Sequence, residues 1–62
     1  MLYRVWVTRR KEGKRNGFAD EDMTEPPEEG DKIEIECDGE SVSAIVTKVA
    51  TRVGNIVYAD ER

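Results

Sequence analysis

Seven residues near the start of the chain carry its clearest chemistry: Arg4, Trp6, Arg9, Arg10, Lys11, Lys14 and Arg15. Arginine and lysine attract phosphate oxygens and gain affinity by releasing counterions. An indole beside them can stack on a nucleic-acid base while the cations hold the backbone, as in single-strand binders. The plainer reading makes Trp6, the only tryptophan, the main core anchor, and makes the basic stretch a solvated hairpin tip. A second group is acidic: Asp20, Glu21, Asp22, Glu25, Glu28 and Glu29. It could imitate a phosphate backbone, dock on a basic protein, or fold against the basic tip of the same chain or of a second copy. Its plain reading is a solvated loop.

Catalytic and metal chemistry find little support. The chain has no histidine, so the commonest general base and metal ligand is missing. Cys37 stands alone among Glu36, Asp38 and Glu40, whereas a reactive thiol wants cations nearby. It reads as a small buried hydrophobe. The five glycines are scattered singly, so no phosphate-cradling loop is formed. Asp20, Asp22, Thr24, Glu28 and Asp31 fall at calcium-loop spacings. However, Glu25 occupies the position where that loop needs glycine, and Pro26-Pro27 follow it. The expectation is a non-enzyme with no cofactor and no metal.

Charge is sorted along the chain. Residues 1–17 hold six basic side chains against one acid; residues 18–62 hold four against thirteen, for a net charge of −4. Sixty-two residues read as a single small domain, with 37% hydrophobic and 39% charged residues. A chain of this size buries only about 60% of its unfolded surface, so it cannot also line a large cavity. No apolar run approaches the ~20 residues of a membrane helix. The N-terminus lacks a signal-peptide layout. A lone cysteine fits a reducing compartment, and the expected location is cytoplasmic.

The elements follow from period-two alternation. Residues 2–9 are β-branched and aromatic, with Tyr3, Val5 and Val7 on one face and Leu2, Arg4, Trp6 and Thr8 on the other. A turn at Glu12-Gly13 would pair Lys11 with Lys14 and set Val7 opposite Phe18. Asn16-Gly17 is the stronger turn dipeptide by composition but gives a poorer register. The expectation is a splayed tip and a short strand at 17–19. Residues 20–31 form an acidic loop interrupted by Pro26-Pro27, with room for one helical turn at 20–24. Strand 32–37 and strand 41–52 make a hairpin about Asp38-Gly39, a type I′ dipeptide. That turn sets Cys37 against Glu40, Ile35 against Val42 and Ile33 against Ala44. After Val46 the apolar phase switches, which predicts a bend or a bulge. Gly54-Asn55 would then turn the chain into strand 56–59, with Val53 opposite Ile56 and Thr51 opposite Tyr58. Tyr3 and Tyr58 are expected in the core. Together these elements predict an all-β fold, a small antiparallel four- to five-stranded barrel or strongly curled sheet with a long acidic loop.

The run Glu29-Gly30-Asp31-Lys32-Ile33-Glu34-Ile35, then Asp38-Gly39, then Ala44-Ile45-Val46-Thr47-Lys48-Val49, resembles SH3-like small barrels. The likeness spans about residues 29–49 and implies fold only, since such barrels host unrelated functions. The aromatic pairs of peptide-binding SH3 domains are not recognisable.

The function expected from the sequence is a small non-catalytic interaction module. It would bind another protein through its charge-polarised loops, the basic tip 9–15 and the acidic stretch 20–31. The alternative is a nucleic-acid binder using Arg4, Trp6 and the basic tip. A homodimer is a further option, because a small core gains from covering a strand edge.

Overall fold

The interior that these short strands can enclose is narrow, and its occupants are correspondingly small. Tyr3, Val5, Val7, Ile35, Cys37, Val42, Ala44, Val46, Val57 and Ala59 form the core, with Ala19, Met23, Ile33 and Val49 packed against it. Tyr3 is the only large ring among these buried residues.

The protein, seen as a computed structural model, is described over residues 1–37, 39–52 and 54–62. Five strands occur in chain order: β1 (Leu2–Thr8), β2 (Gly17–Asp22), β3 (Lys32–Cys37), β4 (Glu40–Ala50) and β5 (Ile56–Glu61). They form one sheet, ordered β2-β1-β5-β4-β3, curled into a nearly closed barrel with no helix among the described residues. The all-β barrel expected from the sequence is therefore present. One feature differs: β5 lies antiparallel to β4 but parallel to β1. The last strand thus joins two hairpins, β1–β2 and β3–β4. Asn55 starts this seam, because its carbonyl accepts the Arg4 N–H at 2.8 Å and its amide donates to the Leu2 carbonyl at 3.3 Å.

The β3–β4 hairpin has the expected register, with Cys37 opposite Glu40, Ile35 opposite Val42 and Ile33 opposite Ala44. Asp38 lies outside the described residues, while Gly39 has φ +78°, the left-handed conformation that a type I′ turn demands. The expected bend or bulge takes the form of a register shift between Val46 and Lys48. Thr47 is the extra residue, and its hydroxyl donates to the Tyr58 carbonyl at 3.2 Å. Beyond it Val49, rather than an even-numbered residue, faces the core.

Three sequence expectations are corrected. The first hairpin turns at Glu12-Gly13 as expected, with the Lys14 N–H donating to the Lys11 carbonyl at 3.1 Å and Gly13 at φ +79°. But Val7 sits opposite Gly17, so Phe18 faces Trp6 instead of Val7. Asn16 takes up the odd residue by accepting the Arg9 N–H through its side-chain oxygen at 2.8 Å. A one-residue shift reverses the face of every side chain on a strand, and here it moves Phe18 outside. Second, β2 runs on to Asp22, so Asp20, Glu21 and Asp22 are strand residues and not part of a loop or a helical turn. Third, Lys48 rather than Thr51 lies opposite Tyr58, and Ala50 lies opposite Ile56; the connection therefore spans 51–55. The expected partner of Ile56, Val53, lies outside the described residues.

These positions separate core from surface in a testable way. Val57, fully buried, should lose about 2 kcal/mol of stability when cut to alanine, through lost transfer energy and a cavity. Trp6→Ala, despite removing far more atoms, should cost only about 1 kcal/mol. Urea unfolding of the two variants tests the ordering; a Trp6 cost above the Val57 cost would contradict it.

Candidate functional site: an outward aromatic row and a buried arginine

The alternation along β1 does not stop at Val7. Tyr3, Val5, Val7 and then Arg9 point inward, and on β5 Val57, Ala59 and then Glu61 do the same. The parallel register places Val7 beside Ala59, which brings Arg9 and Glu61 together at one end of the barrel. Arg9 donates from Nε to Glu61 Oε1 at 3.1 Å and from Nη2 to Glu40 Oε1 at 2.7 Å. The side chains of Arg9 and Glu61 are 1% and 5% exposed, so this pair is cut off from water. Glu61 Oε1 also accepts the Arg10 backbone N–H at 3.1 Å, and Glu40 Oε2 accepts from Lys14 Nζ at 3.0 Å. Arg10 reaches Asp60 Oδ2 at 2.8 Å.

A buried charge requires a partner and a full set of hydrogen bonds. Here that requirement is met: no buried side-chain polar atom among the described residues lacks a partner. Bonds from Glu40 and then Glu61 raise the Arg9 pKa. Bonds from Arg9 and then Lys14 lower Glu40 to about 2. The Arg9 bond lowers Glu61 against the opposing effect of burial.

The basic tip is therefore not the free cationic patch that the sequence suggests. Arg9 is inside, while Arg10 and Lys14 are neutralised by Asp60 and Glu40. Lys11 and Arg15 stay exposed at the tip. Nor does the tip meet the acidic stretch. The strand directions put residues 23–31 at the opposite end of the barrel, where Gly30 and Asp31 bond to Val46 and Met23 bonds to Met1. Glu25, Glu28 and Glu29 are exposed there. The acids that do meet the tip, Glu40, Asp60 and Glu61, escaped the sequence reading. The signal for Glu61 was present, as the continuation of the inward phase 57, 59, 61.

The outer face holds what the core could not. Phe18, Trp6 and Tyr58 lie opposite one another on β2, β1 and β5, and Lys48 of β4 extends the row. Their exposures are 48% for Phe18, 40% for Trp6 and 41% for Tyr58. Trp6 and Phe18 pack with centroids 5.0 Å apart at 49°. The Arg4 guanidinium carbon lies 4.4 Å from the Phe18 centroid, a cation–π contact. Arg4 Nε also donates to Asp20 at 3.0 Å, and that bond raises the Arg4 pKa. Trp6 is thus a surface residue and not the core anchor, and Tyr58 lies outside the core as well. Of the seven candidate residues, only Trp6 lies in this row, and Arg4 flanks it through its contact with Phe18.

No group of three or more histidine, cysteine or acidic residues among those described is placed to hold a metal ion. No helix among the described residues is long and apolar enough to cross a membrane. Comparison with protein-family models, curated proteins and solved structures finds no match.

The ion network makes a pH prediction. Glu40 has a folded pKa near 2, below the ~4.3 of an unfolded glutamate. A depressed carboxylate contributes its full stabilisation above the unfolded pKa and loses it as pH falls towards the folded pKa. Wild-type stability should therefore decline between about pH 4.3 and pH 2. Denaturant midpoints for Glu40→Gln should show a shallower decline over that window. An unchanged acid limb would contradict the network.

Proposed function

We propose that the protein is a non-catalytic interaction module of the cytoplasm that binds another protein through its outer aromatic row. The observation behind this reading is the row itself: Phe18, Trp6 and Tyr58 side by side on three adjacent strands and open to solvent. Tryptophan, tyrosine and arginine supply most of the binding energy at protein interfaces, where their large faces lose water on contact. Solvated aromatics serve a chain poorly unless something covers them. The contact surface is thus assigned to the barrel face and not to the charged loops. Kinship with SH3-like barrels belongs to the same reading: the 32–46 hairpin has the expected register, but the parallel β1–β5 seam departs from an all-antiparallel barrel.

Single-stranded nucleic acid is the second reading, favoured by the exposed Trp6 indole in a row that carries Arg4 over Phe18 at one end and Lys48 opposite Tyr58 at the other. It stands behind the first because most of the cations it would use are already engaged. Arg4, Arg9, Arg10 and Lys14 all pair with acids of the same chain, and phosphates would have to displace Asp20, Glu40, Asp60 or Glu61. The net charge of −4 also opposes long-range attraction.

Photo-crosslinking in the host cell tests the choice. A photoreactive residue replacing Thr8, next to Trp6 on the outer face, should give a discrete protein adduct that Trp6→Ala and Tyr58→Ala abolish. The same residue replacing Lys11 at the tip should give none. An adduct at twice the chain mass would identify the partner as a second copy. A nuclease-sensitive adduct would establish the second reading, and no adduct from position 8 would overturn both.

A further inference from the structure

The sheet leaves two strand edges without a ladder partner, β2 and β3, and the barrel closes by bringing them near one another. Between them lies a cleft of about 190 Å³ lined by Glu21, Met23, Ile33, Glu34 and Ile35. Met23, Ile33 and Ile35 give it an apolar floor continuous with the core, and Glu21 and Glu34 supply its charge. Cofactor and metabolite pockets run to about 300–1,000 Å³, so this cleft suits a single apolar side chain.

We infer that this cleft anchors an extended, basic segment of a partner protein, taking one bulky apolar side chain between β2 and β3 while flanking lysines or arginines meet Glu21 and Glu34. Charge selects this occupant. Beside the two glutamates of the cleft, the outward face of β3 adds Glu36, with Lys32 at its start. Asp20 and Asp22 of β2 are already paired with Arg4 and the N-terminal ammonium, so the selecting charge is that of Glu21, Glu34 and Glu36. An acidic segment meets repulsion on both sides. A second copy laid edge to edge sets these acids against its own, the arrangement by which natural edge strands avoid self-pairing. A basic strand meets opposite charge on both sides, and the free edge offers its main-chain groups to an extended chain. The inference rests on the protein-binding reading but uses a different face from the aromatic row, so each can fail without the other.

The test is an amide-resolved NMR titration of the isotope-labelled protein with a synthetic peptide alternating lysine and leucine, and with its glutamate–leucine counterpart. The lysine peptide should shift residues 20–23 and 32–36, with shifts that weaken as salt is added. Binding should fall about tenfold in the double variant Glu21→Lys, Glu34→Lys, and by less in Glu21→Gln, Glu34→Gln, whose spectra also report whether the fold is kept. Trp6→Ala should leave it unchanged. Equal binding of the glutamate peptide, shifts centred on residues 6, 18 and 58, or no shift at all would each overturn the inference.

Discussion

The parallel pairing of β1 with β5 fixes both the outer aromatic row and the buried ion pair. It is the least local contact in the molecule, joining the first strand to the last. Its register sets Trp6 beside Tyr58 on the outside and, through Val7 beside Ala59, carries Arg9 to Glu61 on the inside. Slide that register by one residue and the aromatic row turns inward while the ion pair turns out. The narrow core has no room for the first of these, and the second would leave apolar side chains in water.

Interior size explains the division of labour between the two faces. Fully buried side chains are mostly valine and alanine, so the barrel closes around small, well-fitting groups. Tyr3 is the one large ring among the buried residues, and Phe18, Trp6 and Tyr58 lie on the outer face. Arg9 enters because it does not compete for apolar volume: it plugs the end of the barrel, where Glu61 and Glu40 accept its bonds and Glu61 also accepts the Arg10 N–H. Such a buried pair gives little net stability over an apolar plug but penalises any register that separates its members. The ion network therefore serves mainly to hold β1, β4 and β5 in one alignment.

Much of the fold was legible because local patterns agreed with one another. In β3 and β4 the alternation, the Asp38-Gly39 turn and the phase change after Val46 all pointed to one hairpin with one bend or bulge. The β1–β2 hairpin was harder. Its turn was readable, but the odd residue absorbed at Asn16 was not, and with it went the side on which Phe18 lies. The β5 seam could not be read from any window of the sequence, since parallel neighbours so distant in the chain leave no turn signature. The site suffered from the same gap. A cluster of arginines and lysines reads as a surface patch until one knows which acids stand opposite, and those acids came from β4 and β5.

The consequence for function is a change of surface. The basic tip is largely neutralised by acids of the same chain, and the surfaces proposed for partners are an aromatic face on one side and an acidic cleft on another. All of it turns on the β1–β5 seam. Nuclear Overhauser contacts in the labelled native protein test that seam most directly. The native sheet should give contacts from the Trp6 indole to both the Phe18 and Tyr58 rings, together with a slowly exchanging Arg9 Nε proton. An antiparallel β1–β5 pattern, or an Arg9 proton exchanging as freely as that of Arg15, would contradict it.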